Sequence, residues 1–409
     1  MLNIIWIFFF TTAFIVALIK LFAFGDTEIF GQLMTAMFSL SKTAFEISLG
    51  LTGILALWLG IMRIGERSGF IDLLTRGLTP LFAKLVPEVP KNHPALGAMV
   101  MNMSANALGL DNAATPLGIK AMKELQKLNP LKDTASNAQI LFLVINTSAV
   151  TLFPVTIFTY RAQMGAVNPT DVFIPILIAT YASTLMGLLA VSYVQKINLL
   201  DKVILSYLGG FTVLVVGLLT YFSHLPQAEM LQQSALISNV ILFSLVMLFI
   251  TGAVVKKVNA YEAFIDGAKE GFETAITIIP YLVAMLVAIG VFRASGALDL
   301  LADGLRHIVL ALNFDDRFID ALPTALMKPF SGSGARAMMV DTMQTYGADS
   351  FAGRLSSIVQ GSTETTFYVL AVYFGSVGIK NIRHAAACGL AADIAGIMAA
   401  IGVAYWFFG

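Results

Sequence analysis

Two clusters of polar side chains interrupt apolar stretches of this chain, and their residue types suit the binding of a small polar solute. Asn, Gln, Ser and Thr can donate and accept hydrogen bonds, and Asp, Glu and Arg add charge. The first cluster contains Asn102, Ser104, Asn106, Asp111, Asn112, Asn146 and Thr147. The second contains Ser331, Ser333, Arg336, Gln360, Ser362, Thr363 and Glu364. We predict that these residues bind one substrate and that Glu364, Asp111 or Asp393 couples an ion to its movement.

Each of these residues also has a structural explanation. Ser and Thr in membrane helices often hydrogen-bond to their own backbone, and Asn often joins neighbouring helices. Asp111 and Arg336 could pair with each other or lie exposed at an interface. Glu364 is the strongest single candidate, because an ionisable group inside an apolar helix is costly and therefore usually functional.

No sequence pattern typical of an enzyme or a metal site is present. The run Ser331-Gly332-Ser333-Gly334 lacks the preceding strand and the following Gly-Lys-Ser/Thr of a phosphate-binding loop. Neither an HExxH motif nor a nucleophile elbow occurs. The four histidines are scattered, and a single cysteine, Cys388, excludes an intrachain disulfide. We expect no catalytic residue, no metal site and no cofactor apart from Na⁺ or H⁺ as a coupling ion.

The composition is typical of a polytopic membrane protein, since 57% of the residues are hydrophobic and only 12% are charged. The 25 basic and 25 acidic side chains cancel, so there is no net charge to attract nucleic acid. The expected partners are the lipid bilayer and a small-molecule substrate. The first apolar run, 2–24, is too long for an ordinary signal sequence and predicts a retained membrane helix.

Nine stretches are long and apolar enough to span a bilayer, which needs about 20 residues. They are 3–24, 44–63, 138–162, 172–194, 202–222, 235–255, 272–292, 355–376 and 384–408. The segments 93–125 and 320–346 are apolar at both ends but polar and glycine-rich in the middle. Such a break is tolerated at membrane depth only where protein or water covers it, which predicts two re-entrant helical hairpins.

The chain repeats itself at a spacing of 227 residues. The pattern SGxxDLLxxGL occurs at 68–78 and again at 295–305, and Phe45-Glu46 reappears as Phe272-Glu273. Ser104 in the first hairpin corresponds to Ser331 in the second. We predict a first repeat with an N-terminal helix at 1–200, a connecting helix pair at 201–271 and a second repeat at 272–409.

The two copies are predicted to be inverted relative to each other. Five crossings separate the helix at Phe45 from its counterpart at Phe272, and an odd number reverses the direction. The basic residues of 63–132, 196–202, 256–269 and 380–383 then share the cytoplasmic side. The long region 293–354, which carries Lys328 and Arg336, falls on the opposite side. The N-terminus is then cytoplasmic and the C-terminus external.

Two further segments, 66–86 and 294–312, are amphipathic. They place leucines at helical spacing beside charged residues, as in Leu73, Leu74 and Leu78 with Asp72. Such helices lie in the membrane interface, where they could support a sliding domain or simply cap the bundle.

The two halves resemble two known families. The stretches NMSANALGLDNAATPLGIKAMKELQ at 102–126 and NTSAVTLFPVTI at 146–157 resemble the spore maturation protein A family. The stretches KPFSGSGARAMMVDTMQTYG at 328–347 and QGSTETTFYVLAVYFGSVGIK at 360–380 resemble the spore maturation protein B family. The chain therefore looks like a fusion of the two, and each half is similar to the Gate, or nucleoside-recognition, domain.

This resemblance implies two hairpins that meet at a central site. Gate domains are also found in concentrative nucleoside transporters and in the membrane part of ferrous iron transporters. The cysteines expected of an iron-handling Gate domain are missing, because Cys388 lies outside both hairpins. Analogy with relatives leaves a homodimer or homotrimer open.

We therefore expect an all-helical, ion-coupled transporter of a small polar solute in the bacterial cytoplasmic (inner) membrane. A nucleoside is the first cargo to consider, because amide and hydroxyl groups match a base edge and ribose hydroxyls. One alternative is a non-transporting membrane scaffold or binding protein in envelope or spore maturation. A third is an enzyme acting on a membrane-borne substrate, which would need a nucleophile and a base within hydrogen-bonding reach.

Overall fold

Helices account for the regular secondary structure of the computed structural model, which describes residues 2–90, 92–109, 111–148 and 151–409. The side chains of residues 2, 111–113 and 228 lie outside this description. The first helices are α1 Leu2–Phe24, α2 Ile29–Arg67, α3 Phe70–Leu85, α4 Pro94–Ala107, α5 Asp111–Leu128, α6 Asn137–Thr147, α7 Val155–Gln163, α8 Phe173–Gln195 and α9 Lys202–Ser223. They are followed by α10 Gln227–Lys256, α11 Ala260–Ala294, α12 Ala297–Ala311, α13 Leu322–Met327, α14 Gly332–Tyr346, α15 Phe351–Ser362, α16 Thr366–Gly375 and α17 Ala385–Phe408. The predicted all-α class is confirmed.

Seven continuous helices within the described part of the chain are long and apolar enough to cross a membrane. They are α1, α2, α8, α9, α10, α11 and α17. The other two predicted spans, 138–162 and 355–376, are each divided, the first into α6 and α7 and the second into α15 and α16. The chain is therefore a multi-pass membrane protein in which two of the predicted crossings are interrupted near their middle.

Helices α2 and α11 begin well before the predicted spans at 44 and 272. The added turns carry polar residues such as Gln32 and Glu262, which lower the mean hydropathy but lie exposed and leave the helix intact. Asn259 caps α11, because its side chain accepts a hydrogen bond from the backbone N–H of Glu262. Hydropathy therefore located the more apolar part of each helix and missed its first turns.

The corresponding helices of the two repeats, α2 and α11, pack tightly against each other. A Cβ added at Gly267 would lie 2.3 Å from the carbonyl oxygen of Leu59, and one added at Gly271 would lie 2.5 Å from Cα of Ala56. Only glycine allows this backbone approach. The later residue of α11, Gly271, meets the earlier residue of α2, Ala56, so the two helices run antiparallel.

The amphipathic segments form helices α3 and α12, as predicted. Each follows a glycine in the left-handed region, Gly69 with φ 83° and Gly296 with φ 82°. A residue with a side chain is strained in this conformation, so the repeated Ser-Gly pair marks the sharp turn from α2 into α3 and from α11 into α12.

The two predicted hairpins are pairs of short helices. The first consists of α4 and α5, which pack against each other. The second consists of α13 and α14, and a short 3₁₀ helix, Arg317–Ala321, leads into it. Pro94 at the first position of α4 suits the start of a helix, because the missing N–H needs no partner there.

Candidate functional site

The two interrupted helices meet at their breaks. Helix α6 ends at Thr147 and helix α15 ends at Ser362. The backbone N–H of Glu364 donates a hydrogen bond of 2.7 Å to the carbonyl oxygen of Thr147. This bond joins the two repeats directly, through backbone groups that the breaks have freed from their own helices.

On one side of this crossing, the start of the first broken helix lies beside the end of the second. The N–H of Ala135 donates to the carbonyl of Asn381 over 2.9 Å, and the N–H of Lys380 donates to the carbonyl of Asp133 over 2.8 Å. The Arg383 guanidinium also donates to the carbonyl of Ala135 over 3.0 Å. We call residues 133–137 and 380–383 the loop contact.

On the other side, the end of the first broken helix lies beside the start of the second. Arg161 is fully buried, and its guanidinium contacts Asp171 over 2.8 Å and Asp349 over 3.1 Å. Arg354 pairs with the second oxygen of Asp171 over 2.8 Å. We call these four residues the ionic contact. Together with the loop contact, it shows that the two broken helices run antiparallel and cross at their breaks.

Each hairpin turn is bonded to the broken helix of its own repeat. The N–H of Leu152 donates to the carbonyl of Ala107 over 3.0 Å in the first repeat. The N–H of Phe367 donates to the carbonyl of Pro329 over 2.9 Å in the second. In that repeat the ring of Phe330 also stacks on Phe367, with centroids 5.2 Å apart. The structure thus brings both hairpin turns and both helix breaks into one region.

Three predicted asparagines form a hydrogen-bonded group with a tyrosine of the other repeat. The side-chain amide of Asn106 donates to Oδ1 of Asn146 over 2.8 Å. The amide of Asn102 donates to the carbonyl of Ala114 over 2.7 Å and to the Tyr373 hydroxyl over 3.3 Å. That hydroxyl in turn lies 3.4 Å from Oδ1 of Asn146. We call Asn102, Asn106, Asn146 and Tyr373 the amide cluster.

Several predicted hydroxyl residues are hydrogen-bonded within their own helix. The hydroxyl of Ser104 donates to the carbonyl of Val100 over 2.8 Å, and that of Thr147 donates to the carbonyl of Val144 over 3.0 Å. Ser362 bonds the carbonyl of Val359 over 2.8 Å in the same way. These bonds are the structural role that Ser and Thr often have in membrane helices, and a role in substrate contact stays a prediction.

The second hairpin turn is held by its own side chains. Ser331 caps α14 by accepting from the N–H of Gly334 over 3.0 Å, and its hydroxyl lies 3.3 Å from that of Ser333. Arg336 donates to the carbonyl of Gly332 over 3.2 Å. The side chains of Asp111 and Asn112 fall outside the described residues, so the predicted pairing of Asp111 with Arg336 has no structural counterpart to compare.

Charged and polar side chains lie together at the break of the second broken helix. We call Lys328, Gln360, Thr363, Glu364 and Asp393 the charged cluster. Lys328 is only 2% exposed, and its ammonium donates to the carbonyl of Gln360 over 2.8 Å. Thr366 at the start of α16 donates to Oδ2 of Asp393 over 2.7 Å. Lys328 and Glu364 both lie close enough to act on the charge of Asp393.

Lys328 and Tyr373 were not among the predicted site residues. The distribution of basic residues assigned Lys328 to the region 293–354 on the non-cytoplasmic side. In the structure Lys328 is buried, and its ammonium bonds a carbonyl of α15. The signal in the sequence that could have identified Lys328 is its position directly before Pro329 and the polar turn. Tyr373 sits in an apolar run of α16, where its hydroxyl needs a partner once it is buried.

The charged cluster contains buried oxygens that have no hydrogen-bond partner among the described residues. They are Oε1 of Gln360, Oγ1 of Thr363 and Oδ1 of Asp393. A buried polar atom without a partner costs about 1 to 3 kcal/mol, so these three oxygens are candidates for contact with a ligand or water.

The polar centre is closed in this conformation. Asn102, Asn146, Thr147, Ser362 and Thr363 are each at most 3% exposed. A groove of about 350 Å³ lies elsewhere, between α1, α12 and α13, and the side chains that line it are apolar. It reaches the second hairpin turn only through Phe330. These polar residues at the crossing are therefore buried in this conformation.

The sequence matches the Gate family, described as nucleoside recognition, over residues 48–164 and 275–380, which together make up more than half of the chain. It is 51% identical to spore maturation protein B of Bacillus subtilis (strain 168) over 155 residues, 38% of this chain and 85% of that protein. It is 40% identical to spore maturation protein A of the same organism over 183 residues, 45% of this chain and 90% of that protein. The two relatives match different parts of the chain, which confirms the predicted resemblance to a fusion. No solved structure matches the sequence.

Proposed function

The chain belongs to the Gate, or nucleoside-recognition, family, and from this premise we propose that it transports a small polar solute across the bacterial cytoplasmic membrane. The observation that carries this proposal is the crossing of the two broken helices, where the N–H of Glu364 bonds the carbonyl of Thr147. Interrupted helices at membrane depth are a recurrent means of building solute and ion sites in transporters.

We propose that the two repeats have inverted topology. The antiparallel packing of α2 on α11 supports it, since these helices carry the same repeated motifs. The antiparallel crossing of the broken helices supports it independently. In such an arrangement the loop contact and the ionic contact close opposite sides of one central site. Alternating access then follows if one contact opens while the other stays closed.

The solute is recognised in this proposal by groups that line the crossing. The amides of Gln360 and Asn146 and the hydroxyl of Thr363 can each donate and accept, which suits a solute with several polar edges. A nucleoside fits this requirement, because its base offers alternating donors and acceptors and its ribose offers hydroxyls. The description of the Gate family supports testing nucleosides first.

The test is solute binding and uptake by the purified full-length chain. A ligand that binds only the folded state raises the melting temperature, so nucleosides, amino acids and organic acids are screened by thermal shift and then by uptake into proteoliposomes. We expect one class to raise the melting temperature and to be taken up. Gln360→Leu should abolish both effects, whereas Gln227→Leu, at an exposed position on α10, should preserve them. The absence of any solute response across the screen, with no uptake, would contradict the proposal.

A second candidate is a membrane protein that binds a partner in envelope or spore maturation without transporting. The amide cluster favours it, because the side chains of Asn102, Asn106, Asn146 and Tyr373 are hydrogen-bonded to one another. The names of the two relatives point the same way. Here the amide cluster would be a fixed joint between the repeats, and no uptake would occur under any ion gradient.

A further inference from the structure

Three residues with an unpartnered side-chain oxygen lie where α8, α17 and the second helix break meet. Within the described residues, Oγ of Ser183, Oγ1 of Thr363 and Oδ1 of Asp393 are buried without a hydrogen-bond partner. Their residues are 0%, 3% and 1% exposed, respectively. Such atoms are rare in folded proteins, and each indicates a bound ligand, ion or water.

The packing around Gly396 brings these residues together. A Cβ added at Gly396 would lie 2.7 Å from Cγ2 of Thr363 and 3.0 Å from Cβ of Ser183. Asp393 lies one helical turn before Gly396 on α17, and the Thr363 side chain is close enough to act on its carboxylate. Ser183 and Thr363 therefore approach the same stretch of α17, and the glycine allows them to do so.

Oδ1 is the unpartnered oxygen of the Asp393 carboxylate in the described structure. Its other oxygen, Oδ2, accepts a hydrogen bond of 2.7 Å from Thr366, which is the first residue of α16. The N-terminal end of a helix carries partial positive charge, which stabilises a carboxylate nearby. Oδ1 of the same carboxylate is left free to bind a cation.

The charge balance calls for one additional positive charge. Among the described residues, Lys328 and Glu364 are the charged groups that act on Asp393, and the Lys328 ammonium bonds the carbonyl of Gln360. With both carboxylates ionised, these groups carry a net charge of one negative unit. A buried charge is costly unless it is compensated, so a monovalent cation suits this site better than a water molecule or a divalent ion.

We propose that Ser183, Thr363 and Asp393 form a sodium site. All three ligands are oxygens, as hard cations prefer, and carbonyls of the interrupted helix α15 can complete the coordination. Binding of Na⁺ at this site does not require transport. Its use as the coupling site does rest on the proposed function, because Thr363 also belongs to the predicted solute contacts.

The test is a thermal-shift titration of the purified full-length protein, without solute, at constant pH. NaCl is compared with KCl and choline chloride at equal ionic strength. We expect a saturable rise in melting temperature with Na⁺ alone. Asp393→Asn should abolish it, and Ser183→Ala or Thr363→Val should raise the half-saturating Na⁺ concentration about tenfold or more.

Ser192→Ala is the matched control. Ser192 lies on the same helix, α8, is also buried, and has an unpartnered hydroxyl in the described structure, but it lies more than two turns away from Ser183. It should keep the wild-type Na⁺ response. Equal shifts with K⁺, no Na⁺ response in the wild type, or a wild-type response in Ser183→Ala and Thr363→Val would each overturn the site. A Na⁺ response without any solute uptake would leave the site in place and reject the transport proposal.

Discussion

The amide cluster and the charged cluster occupy neighbouring positions at the crossing of the broken helices, yet they differ in how their polar atoms are satisfied. The amide cluster is uncharged, and its asparagines bond one another, backbone carbonyls and Tyr373. The charged cluster holds Lys328, Glu364 and Asp393 and leaves oxygens of Gln360, Thr363 and Asp393 without partners in the described structure. The amide cluster thus satisfies its hydrogen bonds internally, whereas the charged cluster does not.

This difference suggests that the two copies of one ancestral unit have diverged in role. A network of amides with all its hydrogen bonds made stabilises one arrangement of the helices. To change that arrangement, the whole network must break and form again. A group with charges and free acceptors gains most from a bound ligand. We infer that the amide cluster closes the site and that the charged cluster binds. The predictions below compare the two.

Replacing Lys328 has the largest expected effect. Lys328→Met removes the only ammonium of the charged cluster and leaves Glu364 and Asp393 uncompensated, which should cost about 3 to 5 kcal/mol and abolish uptake. The measurement is the melting temperature of the purified protein together with uptake. In the double variant Lys328→Met/Asp393→Asn one negative charge is removed as well, so most of the lost stability should return while uptake does not. A double variant less stable than the single one would show that the two charges are not coupled.

Replacing Asn146 should affect stability without affecting ion binding. Asn146→Ala removes the acceptor of Asn106 and leaves buried amide hydrogens without partners, at a cost of about 2 kcal/mol. The half-saturating Na⁺ concentration in the thermal-shift titration should stay unchanged, because Asn146 belongs to the amide cluster. Asn3→Ala, at an exposed position on α1, is the control and should change neither quantity. A loss of the Na⁺ response in Asn146→Ala would show that the clusters act as one.

Removing the Tyr373 hydroxyl should have a smaller effect. Tyr373→Phe keeps the ring that stacks on Phe142, with centroids 5.9 Å apart, but loses the hydrogen bonds to Asn102 and Asn146. We expect a loss of about 1 kcal/mol in stability, seen as a lower melting temperature. Tyr368→Phe, on the same helix and 56% exposed, should leave the melting temperature unchanged. Equal effects of the two substitutions would mean that the hydrogen bonds of the Tyr373 hydroxyl do not stabilise the fold.

The smallest effect is expected for a charge pair outside the membrane-spanning helices. The hydrogen bond from the Arg317 guanidinium lowers the pKa of the Asp315 carboxyl to about 2. Since the unfolded chain titrates near pH ~3.9, this pair stabilises the fold above that pH and loses its contribution as the pH falls towards 2. The pair is largely exposed, so its contribution is small. Asp315→Asn should lower the melting temperature slightly at pH 6 and match the wild type near pH 2. A difference that persists at pH 2 would assign the stabilisation to something other than this ion pair.

The sequence predicted the features that depend on local signals. Apolar length located the helices, and Pro329, the glycines at 332 and 334 and the polar run 360–366 located the breaks, because such residues interrupt a helix wherever they occur. The two family matches begin at residues 48 and 275, which agrees with the repeat spacing of 227 residues read from the sequence. The hairpins and broken helices were therefore foreseeable from the chain alone.

Contacts between distant residues were not foreseeable. Arg161 lies at the end of the predicted span 138–162, and nothing in that span shows that Asp171 and Asp349 pair with it and allow its full burial. Tyr373 and Lys328 gain their roles from partners in other parts of the fold, Asn102 in the other repeat and the carbonyl of Gln360. Periodicity and hydropathy describe one segment at a time, so they cannot show which charge meets which partner.

The most direct test of the proposed carrier is the accessibility of a single cysteine at the crossing of the broken helices. Cys388 is the only native cysteine and is replaced by alanine, after which Ser362→Cys reports on the centre and Ser357→Cys, buried on the same helix, serves as the control. We predict that a membrane-impermeant thiol reagent labels Cys at 362 from either side of oriented vesicles, at rates that change with Na⁺ or solute, while the control stays unlabelled. Protection of position 362 from both sides under all conditions would contradict alternating access and favour a closed membrane scaffold.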